Sequence, residues 1–356
     1  MDRGAQNILL IMLFMLIFYI MSVLQSILLP LVLALLFVLV VQPLVIILEE
    51  KRVPRAVIVP LLSVLTISAL VILFNILMSS FAQILSQREF LAERLYEKLS
   101  SIASFISTYT ATPIESSTIL NSLQEFFKTN LLSHAAGSVA TKLSTFAGSF
   151  VMFSIYYIVL LTGMSNYKRY LAHVGGEDKA ELLISNYETI QKSIFSYLTI
   201  KAFISMLTGL LAGIILALFD IKFALLFAFL TFLFNFIPTI GSIIASIAPI
   251  SMALIQFNTV TPAIALMFIL TGVQMIMGNL VEPKLVGNKL RLNTVTVIFG
   301  LVFWGYLWGI SGMIMSVPLM VTIKLAFEYI PSTRVLARIM GYPEKIAAEN
   351  NSQEQS

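Results

Sequence analysis

The chain alternates between long stretches without charge and short charged clusters. Six runs lack Asp, Glu, Lys and Arg for long enough to matter: 4–48, 56–87, 143–167, 202–219, 223–281 and 292–323. A helix needs about 20 apolar residues to cross a bilayer. The first run holds two such helices, divided near Gln25-Ser26 to Pro30. The runs 56–87 and 143–167 hold one each, and 202–219 holds one that extends back to Ile194. Pro238 and the segment Thr259-Val260-Thr261-Pro262 split 223–281 into 223–237, 240–257 and 262–281. The first two pieces are short, and read as two thin spans or as one re-entrant hairpin. The last run, 292–323, is too long for one ordinary helix and carries Gly300, Gly305, Gly309 and Gly312; it reads as a second broken hairpin. The expected fold is an all-α polytopic membrane protein. It has about eight transmembrane helices, with broken or re-entrant hairpins near 223–257 and 292–323.

One sizeable polar insertion interrupts this pattern, at 88–142. It balances five basic residues (Arg88, Arg94, Lys98, Lys128, Lys142) against five acidic ones (Glu89, Glu93, Glu97, Glu115, Glu125). Leu91, Leu95, Leu99, Ile102 and Ile106 recur at helical spacing, as do Ile119, Leu120, Leu123, Phe127 and Leu131. Two amphipathic helices are expected, split near Thr112-Pro113. An amphipathic stripe reports burial, which fits a helical cap on the membrane core; a vestibule or lid over a pathway is the sharper reading. Residues 168–192 read as a second, cytoplasmic amphipathic segment. The expected organisation is N-terminal membrane helices (1–81), an extracytoplasmic helical segment (82–142), a membrane helix with a cytoplasmic loop (143–193), a core with two helical hairpins (194–330) and a polar tail (331–356).

Composition supports the bilayer as solvent. Of 356 residues, 58% are hydrophobic and 11% charged, against about 25% charged in a soluble domain. Met1-Asp2-Arg3 before an apolar run resembles a signal sequence, but 4–48 far exceeds a signal core of about 7–15 residues. The positions of the basic clusters matter more than the net charge of +4. With a cytoplasmic N-terminus, helix counting places Lys51-Arg52 with Arg55, Lys168-Arg169 with Lys179, Lys284 with Lys289 and Arg291, and Arg334 with Arg338 all inside. Both termini are then cytoplasmic and 88–142 is outside. On that count the first hairpin enters from outside and the second from inside.

The sequence offers little to catalysis. There is no cysteine, and only His134 and His173 as histidines, so neither thiolate chemistry nor a multi-histidine metal site is expected. No phosphate-binding loop, HExxH or GxSxG occurs. No enzyme, cofactor or metal is expected, and no basic tract suggests nucleic acid.

Polar residues inside the apolar runs are the candidate functional groups, because ionisable side chains are costly in a membrane. Lys201 follows Ser196-Tyr197-Leu198-Thr199-Ile200 about two turns into a helix. It reads either as a lysine snorkelling to the cytoplasmic headgroups or as a pathway lysine paired with Glu282. Glu282 and Pro283 end helix 262–281. Gln274 and Gly278 share a face just before them, with Asn279 adjacent, as helix–helix glue or as a pathway lining. In Asn235-Phe236-Ile237-Pro238-Thr239-Ile240-Gly241-Ser242, Pro238 removes a donor and Gly241 permits unusual backbone angles. Broken helices of this kind form substrate and ion sites in transporters. Gly209 and Gly213, like Gly305 and Gly309, have GxxxG spacing that marks close packing.

Several of these segments resemble one known family. Asn235 to Ser242 is similar to the N-[YF]-[IV]-P-x-I-G element of the autoinducer-2 exporter family, the PerM-type permeases. Gly278-Asn-Leu-Val-Glu-Pro-Lys-Leu-Val-Gly287 resembles its GNxxEPxxxG element. Phe303-Trp-Gly-Tyr-Leu-Trp-Gly309 and Gly312-Met-Ile-Met-Ser-Val-Pro-Leu319 resemble its C-terminal block, and Ser196 to Lys201 fits upstream. The detailed likeness covers roughly 195–328. It implies a transporter in the bacterial cytoplasmic membrane, assembled as a homo-oligomer such as a pentamer. It also implies export of the quorum-sensing signal autoinducer-2, with sodium (lithium)/proton antiport as the alternative. Lys201, Asn235, Pro238, Thr239, Gly241, Ser242, Gln274, Asn279, Glu282 and Pro283 are the candidate pathway residues. Gly305, Gly309, Gly312 and Pro318 are the candidate hinge or hairpin positions. Neutral polar groups suit a compact polyol, whereas antiport needs a carboxylate that exchanges a proton for a cation. The apolar runs contain no Asp or Glu, and Asp220 and Glu282 lie at their edges. A non-transporting scaffold or receptor is the third reading, and broken hairpins have little use in one.

Overall fold

A computed structural model describes residues 3–109, 132–163, 167–286 and 292–341, and among them there is no strand. The helices are α1 (Arg3–Val23), α2 (Gln25–Glu50), α3 (Arg55–Ser86), α4 (Arg88–Tyr109), α5 (Leu132–Gly163), α6 (Tyr167–Leu218), α7 (Ala224–Phe234), α8 (Ile240–Gln256), α9 (Thr261–Ile276), α10 (Glu282–Val286), α11 (Thr294–Tyr329) and α12 (Arg334–Met340). Among the described residues six segments are long and apolar enough to cross a bilayer, and α7 and α8 are shorter apolar helices. The protein is an all-α polytopic membrane protein. Its first two helices part at Leu24, just before the expected break, and Pro30 sits inside α2. The expected second amphipathic helix at 119–131, the break at Thr112-Pro113 and the basic residues Lys289 and Arg291 lie outside the described residues.

The chain forms two compact units: Met1–Ile67 with Gly148–Phe203 and Glu282–Ser356, and Ser68–Ala147 with Ile204–Val281. The first unit has a core of Leu36, Leu39, Ile194, Tyr197, Trp304 and Met315, among others. Its defining element is α11, which is two helical arms. Trp308 (φ −128°, ψ 16°) and Gly309 (φ 62°, ψ −145°) depart from helical geometry between them. The arms are in close contact. A Cβ on Gly312 would strike the Trp304 carbonyl oxygen, one on Gly300 would strike the Met320 side chain, and one on Gly305 would lie 2.9 Å from Met313. The expected hairpin is therefore present, with its turn at Trp308-Gly309. Pro318 is buried in the returning arm. Trp308 donates its indole N–H to the Met21 carbonyl at 3.4 Å, which ties the turn to α1.

The second unit is built around a core of Ala212, Leu216, Leu226, Phe227, Met252 and Leu266, among others. Gly209 and Gly213 let α6 approach α7 closely. An added Cβ would lie 2.9 Å from the Ala228 carbonyl oxygen at Gly209 and 2.9 Å from the Ala228 Cβ at Gly213. Helix α7 has 11 residues, about 16 Å at 1.5 Å per residue, or roughly half of a 30 Å hydrocarbon core. It packs against α8 across the turn 235–239, which gives a helical hairpin in this unit too. Leu91 of α4 packs on the same core, and α4 lies against α8. Arg94 donates to the Asn258 side chain at 3.2 Å and Lys98 to its carbonyl at 2.9 Å. The described part of the polar insertion is therefore docked on this unit.

Candidate functional site

The first unit holds an ion pair whose lysine is buried. Ile194, Tyr197 and Lys201 occupy one buried face of α6, at the three- and four-residue spacing of a helix. Lys201 is 3% exposed and donates to Glu282 at 2.5 Å, Nζ to Oε1. The snorkelling reading is thereby corrected. It assumed a helix that begins near Ile194, but α6 begins at Tyr167 and bends only at Gly176 (φ 63°). Lys201 lies deep in a continuous helix and turns inward. A buried ammonium without a partner costs several kcal/mol, and Glu282 offsets that cost.

Glu282 is presented by an irregular segment. Met277–Val281 forms a π turn, and α10 starts at Glu282. Pro283 has no amide hydrogen, so it cannot donate to the carbonyl four residues back, at Asn279. A widened turn accommodates that loss, and such turns recur at functional sites. Gln274 is half-buried, Gly278 and Asn279 are exposed, and a Cβ on Gly278 would meet nothing within 4 Å. At Gly278 this face therefore has no close neighbour among the described residues.

In the second unit, Asn235 is buried and donates to the Ser205 hydroxyl at 3.0 Å. The turn that follows pairs several of its own amides. The amide of Ile237 reaches the Phe234 carbonyl at 2.8 Å, that of Ile240 the Pro238 carbonyl at 2.6 Å, and that of Gly241 the Ile237 carbonyl at 3.2 Å. Thr239 holds a positive φ of 61° and accepts from Ser242 at 2.8 Å through its carbonyl. Gly241 is required sterically, because a Cβ there would collide with the Phe234 carbonyl oxygen.

The structure thus joins Lys201 to Glu282, and Asn235 to a residue not anticipated, Ser205. The available signal was position: Ser205 is four residues after Lys201 and so shares its helix face. Lys324 was also missed. It ends the charge-free run 292–323 but remains buried in α11, bonded to Glu328 at 3.0 Å. At the start of α6, Tyr167 and Lys168 donate to Glu188 at 3.0 and 2.8 Å. Burial, then the bond to Glu188, raises the Tyr167 phenol above its usual range, and the Glu188 carboxylate raises the Lys168 ammonium.

The chain matches known proteins along most of its length. A Haemophilus influenzae protein is 29% identical over 312 residues, covering 86% of this chain and 88% of that protein. Escherichia coli YhhT is 28% identical over 309 residues, covering 86% and 85%. Each is named "Putative transport protein". The AI-2 transport protein TqsA of Escherichia coli is 39% identical over 148 residues, covering 41% of this chain and 43% of TqsA. The model of the AI-2E family transporters matches residues 8–332. The chain belongs to the AI-2E transporter family.

Proposed function

We propose that this membrane transporter exports a small polar metabolite, autoinducer-2, across the bacterial inner membrane. In this reading both termini are cytoplasmic and the working form is a homo-oligomer. The observation that carries it is the Lys201–Glu282 pair. Glu282 is the carboxylate that closes the longest charge-free run, and its charge is matched internally at 2.5 Å. The charge-free runs hold no Asp or Glu, and the carboxylate at the edge of the longest already has an ammonium partner, which favours a solute recognised by neutral polar groups over a cation exchanged for a proton. The name of the relative TqsA agrees. The experiment is flux through proteoliposomes containing the purified protein. It compares labelled autoinducer-2 with sodium, with and without an imposed pH gradient. Release of autoinducer-2 without sodium-coupled proton movement is expected. Sodium-coupled proton movement without autoinducer-2 flux would replace this reading with antiport.

A further inference from the structure

The second unit contains a cavity of about 480 Å³ lined by Ser79, Ser80 and Gln83 of α3 and by Phe223 to Leu226 at the start of α7. That is within the size range of small-ligand sites. Its chemistry is one-sided. Phe223, the residue before α7, supplies no capping side chain. The first helical amide to find a backbone acceptor is that of Phe227, which donates to the Phe223 carbonyl at 3.1 Å. The amides of Ala224, Leu225 and Leu226 are thus the unpaired donors of a helix N-terminus, where the backbone dipoles also favour negative charge. A second observation is independent of the helix end. Ser80 lines the same cavity and is 6% exposed, and its hydroxyl has no hydrogen-bond partner among the described residues. That hydroxyl is therefore free to donate to a ligand oxygen in the cavity. No acidic side chain is in the lining. The wall is also fixed in advance. The Gln256 side chain accepts from the Lys222 amide at 2.8 Å and donates to the Asp220 carbonyl at 2.6 Å, so the turn before α7 is braced from α8.

We infer that this cavity binds a small oxyanion, such as the phosphate or carboxylate group of a solute or of a lipid headgroup, on the α7 amides and the Ser80 hydroxyl. This site is separate from the export reading and does not depend on it. The test is calorimetric titration of inorganic phosphate into the full-length protein in a neutral detergent, with and without short-chain phosphatidylglycerol. Saturable binding to the wild type is expected. Ser80→Ala should weaken it about fivefold, the loss of one hydrogen bond. Gln83→Glu, an isosteric change at an exposed position, should weaken it more than about tenfold by placing a like charge in the cavity. Gln83→Lys should tighten it. Competition by phosphatidylglycerol would assign the oxyanion to a headgroup, and lack of competition to a soluble anion; either outcome supports the site. Absence of saturable binding to the wild type, or equal binding by Gln83→Glu and Gln83→Lys, would overturn it. Flux in the same preparations is read separately, so loss of one result does not remove the other.

Discussion

Lys201 and Glu282 are 81 residues apart in sequence and meet at 2.5 Å, with the lysine 3% exposed. Burial makes the pair asymmetric to mutation. Removing Glu282 leaves the buried ammonium without a partner, which typically costs about 3–5 kcal/mol, whereas removing Lys201 leaves a carboxylate that is 27% exposed and reaches solvent. Replacing both with apolar residues of similar volume removes that penalty. Glu282→Leu should lower stability in detergent by at least about 2 kcal/mol and Lys201→Met by less, with the double variant Lys201→Met/Glu282→Leu closer to the wild type than Glu282→Leu. Denaturant titrations of the four proteins form a double-mutant cycle. Additive single effects would mean that the contact carries no coupling.

The hairpin turns make a steric prediction. A Cβ at Gly241 or Gly312 points into a main-chain carbonyl of the opposing arm, whereas one at Gly272 meets nothing within 4 Å. Gly241→Ala and Gly312→Ala should each destabilise by about 1–3 kcal/mol. Gly272→Ala, inside α9, should be neutral or stabilising by up to about 1 kcal/mol through helix propensity. Thermal unfolding of the three variants in one detergent provides the ranking, and a Gly272→Ala as damaging as Gly241→Ala would contradict the turn geometry.

How far these features were legible depended on what local sequence encodes. The hairpins were readable because Pro238, Gly241 and Gly309 act on their own backbone, and a long charge-free run needs a break to fit a bilayer. The orientation of Lys201 was not readable. Depth was counted from Ile194, but α6 runs from Tyr167, and no local pattern shows that an amphipathic segment continues into a span. Glu282 was identified as a possible partner from depth alone, while Ser205 was not, because an isolated serine in an apolar helix gives no signal until its neighbour is known. The π turn at Met277–Val281 follows from one proline, and a helix can absorb a lost donor in several ways.

Helix α4 is held to the 257–260 turn by Arg94 and Lys98, both on Asn258. Lys222 adds its ammonium 3.4 Å from the Phe90 ring centroid. These are exposed or half-exposed contacts, so Lys98→Ala should change global stability by less than about 1 kcal/mol. Its effect should be local: faster amide exchange in 257–260 and the middle of α4, with the rest of the chain unchanged. Hydrogen–deuterium exchange read by mass spectrometry measures this directly, and unaltered exchange in both segments would show that α4 is held by its apolar face alone.

The most direct test of export is release of labelled autoinducer-2 from preloaded proteoliposomes, with wild-type protein and with Pro238→Ala/Gly241→Ala inserted in equal amount. Release well above protein-free vesicles for the wild type, and abolished in the variant, is the predicted result. Wild-type release no faster than from protein-free vesicles would contradict export of this solute, and equal release by both proteins would remove the α7–α8 hairpin from the transport mechanism.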